Sequence, residues 1–470
     1  MPDTDVLVVG AGPTGLLLAN ELALAGVDVV VAEQRPERSG QSRALSLQPR
    51  SAEILDLRGW LDPIAEQSLA RLPAGHFAGM PVHYGDLDTR FPYQLGVEQS
   101  VVEAHLEGLL GAVARGHVLV GLEQDEEAVT AAFDVGGTRK VLTARYLVGA
   151  DGGHSTVRKL VGAEFPGRAG RVRMAVADIT LASADDQGWR LPSFGDTTAG
   201  FRHLIPLREG RSRLLFAGPE QQELARDAPV TAAEVQRALG DTARVEEVWW
   251  ASRFTDASRQ AARYRHGRVL LAGDAAHIHL PIGGQGLNLG LGDAFNLGWK
   301  LAAHVTGRAP AGLLDTYHAE RHPVAAAALA SARAQGVLTI PDEDVAALRG
   351  FVADLISDPA TNRRLAEQQA GLDVRYAVPG AAHPLLGLRM PDVDLPDGTR
   401  LNTRFREGRS VLLDTSGRFD HVVSHVDGPD PSRYGVAGDQ AVLIRPDGHV
   451  CWIGDDEDSL RAALAGVVTG

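Results

Sequence analysis

Three glycine-bearing turns, two of them directly following an apolar run, carry the residues best suited to chemistry. The first is Gly10-Ala11-Gly12-Pro13-Thr14-Gly15, which follows Val6 to Val9 and opens a helix-like stretch beginning at Leu16. Glu33 ends the next apolar run, 18 residues after Gly15. Glycines at this spacing allow a tight turn, a close approach of backbone to a pyrophosphate, and close packing of helix on strand, while the helix N-terminus faces the phosphate charge. Glu33 suits the hydroxyls of an adenosine ribose. Strand, turn, helix and acidic terminus together predict dinucleotide binding.

The other two turns bear on which dinucleotide. Gly273-Asp274-Ala275-Ala276-His277 ends a later apolar run, Val269 to Ala272. An acidic residue beside a pyrophosphate makes electrostatic sense if it accepts a hydroxyl, and the ribityl chain of a flavin offers one, so Asp274 is read as that acceptor. Gly283-Gly284-Gln285-Gly286-Leu287-Asn288 then leads into a long helix, and its backbone N–H groups suit the pyrimidine edge of a flavin, where negative charge collects on reduction. Gly284, Gly286 and Gly290 do not make a second dinucleotide fingerprint: about ten residues separate them from the preceding strand and no acidic-ended strand follows. A pyridine nucleotide is therefore expected to bind transiently, in a cleft.

The elements that must position these turns are widely separated. Val6 to Val9, Tyr146 to Ala150 and Val269 to Ala272 read as strands of one nucleotide-binding sheet assembled from distant segments, with Val27 to Ala32 as a fourth. Between them, residues 176–261 alternate as strands do, as in Arg202 to Pro206 and Ser212 to Phe216, and predict an inserted sheet that also takes part of 72–98. After Asn288 the apolar residues Leu287, Leu291, Ala294, Leu297 and Leu301 recur at helical spacing, which predicts a helix burying one face, and helical patterning continues to about residue 370. From His383 onward short strands return, including Ala441 to Ile444 and His449 to Ile453 joined by the turn residues Pro446-Asp447-Gly448.

Bulk properties narrow the function. The chain has 470 residues, more than one core usually serves. Its net charge of −14 argues against a nucleic-acid or anionic-membrane partner. The single cysteine, Cys451, forms no internal disulfide, no export signal is evident and no apolar run is long enough to span a bilayer, so a cytoplasmic protein is expected.

With these motifs in order, the chain resembles the class A flavoprotein aromatic monooxygenases, the p-hydroxybenzoate hydroxylase family. The resemblance runs over the whole length through the glycine fingerprint at Gly10, Asp151-Gly152 with Ser155 and Arg158, and Gly273-Asp274 with the Pro281 to Asn288 turn. It is closest to bacterial hydroxylases of aromatic polyketides of the angucycline and anthracycline type and to rifampicin monooxygenase, which share segments like Gly75-His76-Phe77-Ala78-Gly79, the Gln99, Glu103, Leu106 pattern and Leu443 to Gly448. The resemblance implies an α/β fold with a discontinuous Rossmann-like FAD-binding domain (1–175 and 262–382), an inserted β-sheet substrate domain (176–261) and a C-terminal thioredoxin-like domain (383–470). It implies FAD contacts by Gly10, Gly12, Pro13, Thr14, Gly15, Glu33, Gln34, Arg43, Gln99, Val120, Asp274, Gly286, Leu287 and Asn288. Asp151 and Arg158 would serve both FAD and NAD(P)H, or form a plain turn aspartate and its salt-bridge partner. Pro281 would face the oxygenating intermediate, a flavin C4a-hydroperoxide formed from NADPH or NADH and O2, which attacks an aromatic, polycyclic substrate.

Other residues have blander readings. His277 and His279 lack a nearby carboxylate in sequence and read as structural histidines, with no metal expected. Trp249 and Trp250 are expected to pack in the core of the inserted sheet, with lining of the pocket as the alternative. His76, Phe77 and His203 are candidates to touch substrate, with His76 and His203 read otherwise as polar residues on the sheet surface. No His–carboxylate pair supplies a recognisable general base. A Baeyer–Villiger oxygenase and a non-catalytic flavin-binding protein are the rival readings, and a monomer or homodimer is expected.

Overall fold

In the computed structural model the described residues are 2–182, 201–225, 227–340, 342–378, 383–414 and 440–467, with 193–194, 418–419, 425–427 and 436–438. Parts of the expected inserted sheet (183–192 and 195–200) and of the C-terminal segment (415–417, 420–424, 428–435) lie outside them.

Four parallel strands form the heart of the largest sheet, side by side in the order Val269–Leu271, Thr138–Gly149, Thr4–Val9 and Val29–Glu33. Val6, Leu7 and Val8 are fully buried, which is why this stretch reads as a continuous apolar run rather than an alternation. The ladder continues one residue past each strand: Gly10 N–H donates to Ala32 O, Ala150 N–H to Val9 O and Ala272 N–H to Gly149 O, at 2.8, 2.8 and 3.0 Å. Three motifs far apart in sequence therefore leave the sheet together at its carboxyl edge, where open α/β sheets bind ligands.

The first helix is Pro13–Leu24 and starts three residues before the expected Leu16. Proline at the first helical position needs no N–H partner and has the right φ, so the fingerprint itself begins the helix. The long helix Gln285–Val305 packs along it. Here the expectation of one buried face fails. Residues 289–291 and 293–303 are all buried, including Asp293, Asn296 and Lys300, because this helix runs between the first helix and the C-terminal strands. Helices Thr316–Val337, Glu343–Ser357 and Pro359–Ala370 follow. No helix among the described residues is long and apolar enough to cross a membrane.

A second sheet is antiparallel, in the order Ser193–Phe194, Phe201–Pro206, Arg211–Ala217, Arg173–Leu181 and Val245–Thr255. One face buries Ala175, Ala177, Ile179, Leu214 and Phe216 against Val235 and Leu239 of helix Ala232–Leu239. From the other face, Met174 packs with Leu280 and Ile282 beside the glycine-rich turn. The short strand Ser258–Gln260, expected in this sheet, pairs instead with Gly167–Arg168 and His277–Ile278.

The C-terminal strands His425–Asp427, Val411–Asp414, Ala441–Ile444 and Val450–Gly454 form a four-stranded sheet covered by helix Glu457–Val467. The Pro446-Asp447-Gly448 turn is more than a link between strands. Arg445 and Asp447 are buried and meet the long helices: Arg445 Nη1 and Lys300 Nζ donate to Glu320 Oε1 and Oε2, each at 2.7 Å, and Asp447 Oδ2 accepts from Asn296 Nδ2 at 3.4 Å. Cys451 is buried and unpaired.

Candidate active site

The three glycines of the fingerprint have distinct reasons to be there. Gly10 has φ of +110°, and a Cβ on it would lie 2.4 Å from Ala150 O; a Cβ on Gly15 would lie 2.0 Å from Gly10 O. Protein packing alone requires both. A Cβ on Gly12 would meet no atom within 4 Å. The space over Gly12 is open at a helix N-terminus, which is where a pyrophosphate would approach. Thr14 knits the motifs together: its Oγ1 would be 2.7 Å from a Cβ on Gly273 and 2.4 Å from one on Gly290. Gly290, excluded from a second fingerprint by its distance from the preceding strand, is thus a packing glycine.

Glu33 lies beside this turn. Its Oε2 accepts the Ala11 N–H at 2.9 Å and its Oε1 the Arg35 N–H at 3.0 Å. The segment carrying Val120 runs along the same rim, since Ala32–Glu33 pairs with Ala114–Arg115 and His117 N–H donates to Glu33 O at 2.9 Å. Val120 is 53% exposed, and Gln34 and Arg43 are exposed as well. Gln99 reaches the Arg43 loop: its Oε1 accepts the Ala44 N–H at 3.1 Å, while its Nε2 donates to Glu103 at 2.7 Å. The inserted sheet holds the same loop, because Arg213, paired with Asp178 at 2.7 Å, donates to the carbonyls of Ser42 and Arg43.

Asp151 and Arg158 do not form an ion pair. Asp151 Oδ2 caps a short helix by accepting from Thr156 N–H and Val157 N–H at 2.6 and 3.0 Å, and its buried Oδ1 has no partner. Arg158 donates to Ala275 O at 2.8 Å and Gly153 O at 2.7 Å, tying the second motif to the third. Asp274 is exposed and makes no hydrogen bond among the described residues. An orphaned carboxylate oxygen, an open glycine and a free exposed carboxylate on one sheet edge fit the needs of a bound FAD.

Behind Asp274 stands a network that local sequence did not reveal. Asp293, fully buried on the long helix, accepts from Gly273 N–H at 3.1 Å and from Arg321 Nε at 2.8 Å, and its Oδ2 is 2.6 Å from His277 Nε2. The carboxylate that His277 lacked nearby in sequence thus arrives from 16 residues away. Burial would raise the Asp293 carboxyl, but the charges of His277 and Arg321 outweigh it and hold it below the ordinary value. Among the described residues no group of three or more His, Cys, Asp or Glu side chains could hold a metal ion.

The last turn completes the site. Pro281 is exposed, with φ −75° and ψ 42°. Gly283 and Gly284 have φ of 71° and 66°, backbone that favours glycine. Asn288 clamps this turn to the strand Ser46–Leu47: its Oδ1 accepts the Gln48 N–H at 2.8 Å and its Nδ2 donates to Gly284 O at 2.7 Å. Gly286 and Leu287 follow in the first helical turn, half-buried. The strand Ala74–Phe77 runs alongside Ile282–Gly284, and the rings of His76 and His203 meet edge to face at 6.3 Å. Phe77 is half-buried against a cluster containing Ala78, Met80 and Leu338. Burial, then His203 and Arg349, bring the His76 imidazole down to about 4. Trp249 does not pack in a core: it is 55% exposed, with Arg211 over its ring and its Nε1 donating to Thr180 Oγ1 at 2.8 Å. Trp250 is half-buried under Arg213.

The geometry agrees with what the chain is similar to. Residues 3–332 match the family model of the FAD binding domain and residues 383–469 that of the aromatic-ring hydroxylase C-terminal domain. A rifampicin monooxygenase from Streptomyces venezuelae is 44% identical over 478 residues, covering 98% of each chain. Among solved structures, an anhydrotetracycline hydroxylase from Streptomyces rimosus superposes with a TM-score of 0.89 at 41% identity over 99% of each chain. An aromatic hydroxylase from angucycline biosynthesis gives 0.85 at 40% identity over 99% of this chain and all of that one. An FAD-binding edge, a second sheet over the glycine-rich turn and a ring-hydroxylase C-terminal domain thus occur in one chain, which belongs to the FAD-dependent aromatic monooxygenases.

Proposed function

We propose that the enzyme hydroxylates an aromatic, polycyclic, polyketide-type small molecule, using NADPH or NADH as a transient electron donor and O2 as the oxygen source. The observation that carries this reading is the meeting of two surfaces at the Pro281 turn. On one side is the FAD edge. On the other, Met174, Leu280 and Ile282 form an apolar wall, with Phe201 and Phe254 packed against it. Relatives that act on anhydrotetracycline and rifampicin support a polycyclic substrate.

In this reading Gly10, Gly12, Pro13, Thr14 and Gly15 receive the pyrophosphate, and Glu33, Gln34 and Val120 border the adenosine. Arg43 and Gln99 stand at the loop between adenosine and ring; Asp151 and Asp274 take the ribityl region; Gly286, Leu287 and Asn288 take the pyrimidine edge. Bound FAD supplies hydride acceptance from NAD(P)H and activation of O2. Pro281 borders the reacting position, and the inserted sheet roofs it and keeps water out. Burial, His203 and Arg349 keep the His76 imidazole a weak base, at about 4, which suits a substrate whose own hydroxyl is acidic. The division into a discontinuous Rossmann-like domain, an inserted substrate domain and a thioredoxin-like C-terminal domain belongs to the same proposal.

NADPH and O2 consumption should be screened with tetracyclic quinones, rifamycins and simple phenols. A product heavier by one oxygen, whose NMR spectrum shows a new phenolic carbon, is expected from a polycyclic member. A lactone or ring-opened carbon would overturn hydroxylation in favour of oxygen insertion beside a ketone. A yellow protein that consumes neither NADPH nor O2 with any compound would overturn the reading altogether.

A further inference from the structure

The turn that follows His76 is held by groups remote in sequence. Strands Ala74–Phe77 and Met80–His83 form a hairpin whose two-residue loop, Ala78-Gly79, has positive φ at both positions, 50° and 83°. Such loops ordinarily carry Asn-Gly or Asp-Gly, because a Cβ at the first position is strained. Ala78 is fully buried, and two side chains hold its backbone. Gln335 Oε1, from helix Thr316–Val337, accepts the Ala78 N–H at 2.9 Å, and Arg349 Nη1, from helix Glu343–Ser357, donates to Ala78 O at 2.6 Å.

This brace has a consequence for His76. With the loop so held, Gly79 N–H donates to His76 Nδ1 at 3.1 Å. An imidazole nitrogen that accepts carries no proton, so in the neutral ring the proton is on Nε2. That Nε2 makes no hydrogen bond among the described residues, and the ring faces His203 beside the Ile282–Gly284 turn.

We propose that His76 donates a hydrogen bond from Nε2 to an acceptor oxygen of the substrate, a quinone carbonyl or ionised phenol, and that Gln335 and Arg349 are positioning residues acting through Ala78. The inference rests on the reading of the apolar wall at the Pro281 turn as the substrate site. It deepens that reading by naming the feature recognised: a ring bearing an acceptor oxygen directed at the hairpin. His76 then selects and orients; it does not remove a proton.

Two measurements test it. In enzyme labelled with ¹⁵N-histidine, with the His76 signals assigned by difference from His76→Ala, His76 should appear as the Nε2–H tautomer at neutral pH. In Gln335→Leu the tautomers should mix, and Gln335→Glu, which keeps an acceptor for Ala78 N–H, should restore the single form. An Nδ1–H tautomer in the wild type, or an unchanged signal in Gln335→Leu, overturns the proposal. This readout needs no turnover, so it stands apart from the proposed function, which fails if no ring compound is oxygenated. The second measurement compares a polycyclic quinone with its analogue lacking one ring carbonyl. His76→Ala should raise KM for the quinone roughly 5- to 10-fold more than for the matching deoxy analogue, the worth of one neutral hydrogen bond. Equal effects on every such pair overturn it.

Discussion

His277 Nε2 and Asp293 Oδ2 lie 2.6 Å apart, both fully buried, directly behind the exposed Asp274. Asp293 also holds Arg321 and the Gly273 N–H, so one carboxylate sets the backbone from which Asp274 projects. Asp293→Asn leaves Arg321 without its charge partner in a dry site. Removing one member of a buried pair costs about 3 to 5 kcal/mol. Urea unfolding should show a loss of this size, with a weaker FAD affinity in the folded fraction; an unchanged midpoint would remove Asp293 from the support of the site.

Gly12 and Gly15 should respond oppositely to the same change. Gly15→Ala drives a Cβ into Gly10 O and should destabilise the apoprotein, whereas Gly12→Ala meets only open space and should leave apoprotein melting unchanged while weakening FAD binding. Thermal melts without FAD, followed by FAD titration, separate the two effects. Equal FAD affinity in Gly12→Ala and the wild type would mean that the pyrophosphate lies elsewhere.

Asp274→Ala and Glu33→Ala should each weaken FAD binding by about 1 to 3 kcal/mol, the worth of a hydrogen bond to a charged group. They should differ in the apoprotein. Glu33 also holds the Ala11 and Arg35 N–H groups, so its removal should lower the melting temperature as well. Asp274→Ala should melt as the wild type does. Full FAD affinity in both variants would refute the assignment of either carboxylate.

Acid should loosen the contact between the long helices and the C-terminal strands. Burial would raise the Glu320 carboxyl, but Arg445 and Lys300 bring it from 4.5 to about 2. A carboxyl depressed by folding adds stability that is complete above its unfolded value and is lost as pH falls through the folded one. The window is therefore pH 4.5 down to 2, and the amount is on the order of 3 kcal/mol. Unfolding free energies across that range should fall less steeply in Glu320→Gln than in the wild type. Parallel curves would place the acid sensitivity elsewhere.

What the sequence determined by itself was whatever local chemistry fixes. The glycine fingerprint with its strand and acidic terminus, the helical period after Asn288 and the Ala441–Ile444 hairpin partner all depend on residues near one another in the chain, so spacing reveals them. Tertiary structure decided the rest, because the deciding partners are distant in sequence. Asp293 reaches His277, Glu320 reaches Arg445 across 125 residues, and Gln335 reaches Ala78 across 257. Burial also reversed two expectations. The long helix hides its polar residues because partners come from other elements, and Trp249 stays exposed on the sheet exterior, where Thr180 takes its N–H and Arg211 lies over its ring. A buried charge or a left-handed alanine is unfavourable in isolation, and only the folded chain supplies the group that makes it tolerable.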